Sequence, residues 1–172
     1  MKMHSRFRNL ALGGVLAVLL AHSALAQTEQ ASKPQVFGEL YRTAPAAAPD
    51  QAQVIYFRPV SEAPKASGAN VYIGGHFHTS LLPGGFTTFC LPPGPHLLGA
   101  YQHDAPLYRG KTEELYRVNL DAGKTYFVKV SEDGTGLPVS VEREEAEQSL
   151  RTIREQTHAI SRASTPSCKS AL

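Results

Sequence analysis

The stretch Leu115-Tyr116-Arg117-Val118-Asn119-Leu120-Asp121-Ala122-Gly123-Lys124-Thr125-Tyr126-Phe127-Val128-Lys129-Val130-Ser131 decides the fold class. Tyr126, Val128 and Val130 alternate with Thr125, Phe127 and Lys129, the two-residue period of a strand that buries one face. Leu115 to Leu120 is a second apolar run across the turn signal Asp121-Ala122-Gly123, so the pair reads as a β-hairpin. Outward from it the same grammar recurs. Val54-Ile55-Tyr56-Phe57 is a compact run of β-formers ended by Arg58-Pro59, because proline cannot donate to a ladder. Asn70 to Ile73 and His76 to Leu82 flank Gly74-Gly75. Phe86 to Leu91 follows Pro83-Gly84-Gly85, and His96 to Tyr101 follows Pro92-Pro93-Gly94-Pro95.

About seven short strands spaced by turn signals, with no helices between them, predict a mainly β protein, an antiparallel β-sandwich or else a small barrel, rather than a parallel-sheet fold. That domain spans residues 54–141. The period then changes: Ala146, Leu150, Ile153, Thr157 and Ile160 form one helical stripe, predicting a C-terminal amphipathic helix over residues 142–162 and a flexible tail over 163–172. The stripe would pack on its own sheet or, by its spacing, on a partner helix. Glu142, Glu144, Glu145 and Glu147 suit a solvated helix start rather than a calcium loop.

The N-terminal 26 residues read as an export signal, with Lys2, Arg6 and Arg8 before an apolar run and Ala24-Leu25-Ala26 before Gln27. Residues 27–53 form an Ala/Pro-rich leader or linker in which Val36, Phe37, Leu40 and Tyr41 would dock as an edge strand or short helix, or stay a loose tether. The chain has 172 residues, 17 Lys plus Arg and 15 Asp plus Glu, so losing the three basic residues of the signal leaves it close to neutral. A neutral chain without a basic run lacks the charge that nucleic-acid affinity needs. No later stretch reaches the roughly 18 apolar residues of a transmembrane helix. An exported protein, periplasmic or associated with the outer membrane, is expected.

Cys90 and Cys168 are the only cysteines, and in an oxidising compartment one disulfide is the economical reading. If Phe89 and Leu91 face the core, alternation turns Cys90 outward, where a tail could reach it. The competing reading is a buried Cys90 thiol and a free Cys168. His76 and His78 lie two apart on one strand, a spacing that would serve a periplasmic copper or zinc site if His96, His103 or Asp104 came close; otherwise they are solvated surface histidines. Ser80, His78 and Asp104 can be drawn as a triad, but no strained turn presents the serine, so no enzyme and no cofactor are expected. The break from Gln102 to Glu113 carries His103, Asp104, Tyr108 and Arg109, the aromatic and charged mixture of a recognition loop or of an ordinary surface loop.

The order Val54-Ile55-Tyr56-Phe57-Arg58-Pro59, Val71-Tyr72-Ile73-Gly74-Gly75, Phe89-Cys90-Leu91-Pro92-Pro93-Gly94-Pro95-His96 and Leu120-Asp121-Ala122-Gly123-Lys124-Thr125-Tyr126-Phe127-Val128 resembles domain of unknown function 2846, a bacterial envelope family. The resemblance covers about residues 54–150. It implies an exported protein with a sandwich similar to PEGA and transthyretin-like modules and no attributed catalysis. Two departures stand out: the family's lipid-anchoring Cys at the mature start is missing, and His76 and His78 replace its usual Lys or Val. The pattern also resembles the N-terminal part of some outer-membrane-protein-A-like proteins, whose peptidoglycan-binding domain this chain lacks. The implied role is an envelope-structural or protein-interaction module whose partner is an envelope protein or a cell-wall component.

Overall fold

Runs of alternating residues become strands only where a second apolar surface meets them, and this chain supplies two such surfaces. The computed structural model describes residues 35–61, 67–104, 107, 110–113, 115–157 and 160–169; the 26 residues read as an export signal lie outside them, as does the start of the expected leader. The elements are β1 (Phe37–Leu40), β2 (Ala52–Phe57), β3 (Ala69–Ile73), β4 (His76–Leu81), β5 (Gly85–Leu91), β6 (Gly94–Gln102), β7 (Tyr116–Leu120), β8 (Thr125–Val130), β9 (Pro138–Val141), α1 (Arg143–Leu150) and β10 (Arg154–Gln156). They form a β-sandwich of a four-stranded sheet, β4-β3-β6-β7, and a six-stranded sheet, β1-β10-β5-β2-β8-β9.

The four-stranded sheet is antiparallel throughout. The six-stranded sheet is mixed, because β2 runs parallel to β8 and β5 parallel to β10. The expected hairpin of Leu115 to Ser131 does not form: β7 pairs with β6 in one sheet while β8 pairs with β2 and β9 in the other. The turn between them is an arch across the sandwich. Its shape is held by Asp121 N donating to Tyr126 Oη at 2.8 Å and by Gly123 N donating to Gln51 O at 2.8 Å. Alternation shows which face a strand buries and is silent on which neighbour it bonds to. The Gly74-Gly75 turn does join paired strands, with both glycines at positive φ (58° and 82°), the conformation a tight hairpin turn demands.

Between the sheets lie Val54, Tyr56, Val71, Ile73, Leu81, Phe89, Leu91, Leu98, Leu120, Val128 and Val130. A second core covers the outer face of the six-stranded sheet, where Ile55, Phe57, Phe86 and Phe127 meet Ala146, Leu150 and Ile153. This double cover explains why every residue of β2 is buried. The helix is correspondingly short. The stripe predicted over 142–162 leaves the helix after Leu150; Ile153 still buries, and its carbonyl accepts from Tyr41 N at 3.0 Å. Arg154 to Gln156 are drawn between β1 and β5 as a strand, and Ile160 is 67% exposed. The leader joins the fold too: β1 is an edge strand, and Ala47, Ala48 and Gln51 to Gln53 are buried.

Polar groups fasten the two sheets at one end. Arg58, 1% exposed at the exit of β2, donates to Glu132 through Nε (2.9 Å) and Nη2 (3.1 Å), to Gln102 Oε1 (2.9 Å), to Leu81 O (3.5 Å) and to Ser67 O. Along one flank Gln156 joins β10 to β4: its Oε1 accepts from Leu82 N at 2.8 Å and its Nε2 donates to Ser80 O at 2.7 Å. On the outer face of β5, Cys90 is bonded to Cys168, so the tail expected to be flexible is fastened at Cys168.

Two measurements check this account. The Arg58 hydrogen bonds hold the Glu132 carboxyl below its ordinary range, so the stability they add is full above that range and is lost as pH falls through the lowered value. Glu132→Ala should cost about 2–3 kcal/mol by urea denaturation at neutral pH, and much less in strong acid. Tyr56 Oη is buried in the inter-sheet core with no hydrogen-bond partner among the described residues. Tyr56→Phe should therefore be neutral or stabilise by up to about 1 kcal/mol, against the usual cost of altering a core residue.

Candidate functional site

His76 and His78 share a strand but not an environment. The register shifts between Val71, paired with Thr79, and Tyr72, paired with Phe77, so His78 is the extra residue of a β-bulge in β4 and sinks between the sheets while His76 at the turn stays exposed. Both ring nitrogens of His78 have hydroxyl partners, Nε2 with Thr87 Oγ1 at 3.1 Å and Nδ1 with Ser161 Oγ at 3.0 Å, and its ring packs edge-on against Phe89. Desolvation pushes its pKa down to about 4, so the ring is neutral at physiological pH. Among the described residues no three His, Cys, Asp or Glu side chains converge to hold a metal. His96 serves its turn, with Nε2 2.8 Å from Pro92 O. The partners of His78 are Thr87 and Ser161, so Ser80, His78 and Asp104 are not assembled into a triad.

The loop after β6 folds back onto the outer face of the four-stranded sheet. Asn70 Nδ2 donates to Asp104 O at 2.6 Å, Leu107 N to Tyr72 Oη at 2.9 Å and Lys111 N to Gly75 O at 2.6 Å. Beneath lies an aromatic cluster of Tyr72, Phe77 and Tyr101, with Tyr72 edge-on to both rings. Lys111 Nζ stands 4.2 Å from the Tyr101 ring centre and 3.7 Å from Asp104 Oδ2. His103 takes φ 59° and brings Nδ1 within 3.4 Å of Ser67 Oγ. Tyr108 and Arg109, the other two candidates of this loop, lie outside the described residues.

The feature that sequence reasoning missed is a cleft. The edge strands β7 and β9 stand at the same flank of the sandwich, and between them opens an apolar recess of about 180 Å³ lined by Leu98, Val118, Leu120, Tyr126, Val128 and Pro138. One end is crossed by the loop after β8, where Ala100 N donates to Gly136 O at 3.0 Å and Tyr116 Oη to Thr135 O at 2.8 Å. At the opposite flank, Gln156 Nε2 donates to Ser80 O and the amides of Arg162 and Ala163 donate to Phe77 O, so β4 is bonded along that edge. No run of residues could announce the cleft, because its walls belong to strands that join different sheets.

Comparison with protein-family models, with curated proteins and with solved structures finds no match.

Burial of neutral His78 has a measurable consequence. Its folded pKa lies below the unfolded value near 6.5, so the unfolded chain binds the extra proton and stability falls as pH drops from about 6.5 to 4, by about 2–4 kcal/mol. His78→Gln should flatten that part of the stability-versus-pH curve, measured by thermal or urea unfolding.

Proposed function

We propose that this chain is a non-enzymatic, exported module of the cell envelope that binds a protein partner, the role implied by its resemblance to domain of unknown function 2846. The observation that carries the binding reading is the apolar cleft between β7 and β9. Two edge strands flanking an apolar opening suit an extended protein segment, which can bond through its backbone to an edge and turn alternate apolar side chains into the recess. Export is supported by the pairing of both cysteines, since such bonds persist in oxidising compartments. The residues around His78 and Asp104 are occupied with packing and internal hydrogen bonds, which favours a binding role over a catalytic one.

The test compares partners captured from envelope extracts by the wild type, by Val118→Glu in the cleft and by Leu40→Glu on the far edge strand, each checked for fold by circular dichroism. The expected result is a partner retained by Leu40→Glu and lost by Val118→Glu. An unchanged partner set with folded Val118→Glu rejects the cleft as the binding surface.

A further inference from the structure

Residues 160–169 form neither helix nor strand, and all but Ala163 and Thr165 are exposed, yet they follow a fixed course. Ser161 Oγ lies 3.0 Å from His78 Nδ1, and the amides of Arg162 and Ala163 donate to Phe77 O at 2.8 and 3.2 Å. Ala163 packs on the inter-sheet core. Farther along, the Gln51 side-chain amide grips the backbone twice, donating to Ser167 O at 3.0 Å and accepting from Lys169 N at 2.9 Å, while Lys169 Nζ meets Asp50 at 2.6 Å. Between those two contacts Cys168 is bonded to Cys90 of β5. Phe77 belongs to β4, the last strand of its sheet, so the tail occupies an edge that would otherwise offer its carbonyls to an incoming strand.

We propose that this tail is a thiol-controlled strap: closed by the disulfide, it caps the β4 edge and seals His78 from water; reduced, it lifts away while the sandwich stays folded. The covalent anchor matters because hydrogen bonds at exposed positions add little against the freedom an irregular segment regains on release. The sandwich has supports of its own. Ala163 is the strap residue packed on the inter-sheet core, while Arg58 bonds Gln102 and Gln156 bonds Ser80 and Leu82, contacts that join strands to one another without the strap. This inference is independent of the cleft on the opposite flank.

The chemistry is that of a dithiol reductant. Cys168 is exposed and Cys90 is 1% exposed, so an incoming thiolate attacks Cys168 Sγ. A bond from the reductant to Cys168 forms as the Cys90–Cys168 bond breaks, and Cys90 leaves as a thiolate that takes up a proton. The second thiolate of the reductant then attacks its own bonded sulfur, expelling Cys168 as a thiolate that is protonated in turn. Two electrons pass to the protein, and the reductant departs as a cyclic disulfide.

The experiment uses the full chain in three forms: oxidised, treated with dithiothreitol, and Cys168→Ser. Circular dichroism reports the sheets, hydrogen exchange reports residues 160–169, and proton resonances of the imidazole report His78. In the reduced chain and in Cys168→Ser the sheet spectrum should persist and tail exchange should rise by about tenfold or more. The His78 pKa should climb from about 4 toward the ordinary value near 6.5. Unchanged tail protection overturns the proposal. So does release in Cys168→Ser with no response to dithiothreitol, and so does loss of the sheet spectrum, which would make the disulfide a staple of the whole domain.

Discussion

Arg58 is the constraint around which the rest is arranged. A guanidinium at the end of the central strand of one sheet is removed from water, and its donors reach a carbonyl of β4, the amide of Gln102 at the end of β6 and both carboxylate oxygens of Glu132 just past β8. Leaving such a charge unpaired in the interior would cost several kcal/mol, so the four segments must arrive together or not at all. The pairing therefore sets how far the two sheets slide along each other. It also sharpens the meaning of the Tyr56-Phe57-Arg58-Pro59 segment: the aromatics fill opposite faces of one strand, the arginine locks its end, and proline stops the ladder.

Much of the fold was legible. Short runs with a two-residue period, separated by Pro and Gly, pointed to a sandwich or a small barrel, since both bury many half-apolar strands without helices, and the two sheets make it a sandwich. The outward turn of Cys90 followed from Phe89 and Leu91 facing inward, and the bond to Cys168 matches it. What stayed hidden was partnership. Leu120 and Tyr126 read alike whether the turn between them closes a hairpin or arches between sheets, since in both cases they point at the same interior. The helical stripe misled for a related reason: Ile153 buries where a longer helix would have put it, but Gln156 is worth more as a clamp on Ser80 and Leu82 than as another helical turn.

The candidate site was legible only in parts. His76 and His78 do lie on one strand, but a bulge, which leaves no mark in composition, sends His78 into the interior beside Thr87. Arg58 carried a readable signal, since a cation directly after four buried β-formers needs a carboxylate nearby, and Glu132 stands at the matching end of another strand. The cleft between β7 and β9 carried none. It is a property of sheet order, and sheet order is decided by contacts distant in sequence.

The covering of β2 on both faces has a consequence for how the molecule assembles. Its neighbours in the ladder, β5 and β8, come much later in the chain, so the most water-averse segment emerges long before anything is available to shield it. Loop closure over such spans is slow, and Val54-Ile55-Tyr56-Phe57 has the composition of a self-associating segment during that wait. Arg58 and Pro59 stand at its end as gatekeepers, a charge and an imide that discourage stacking with other copies. The residue that later locks the finished sandwich thus also guards the nascent chain.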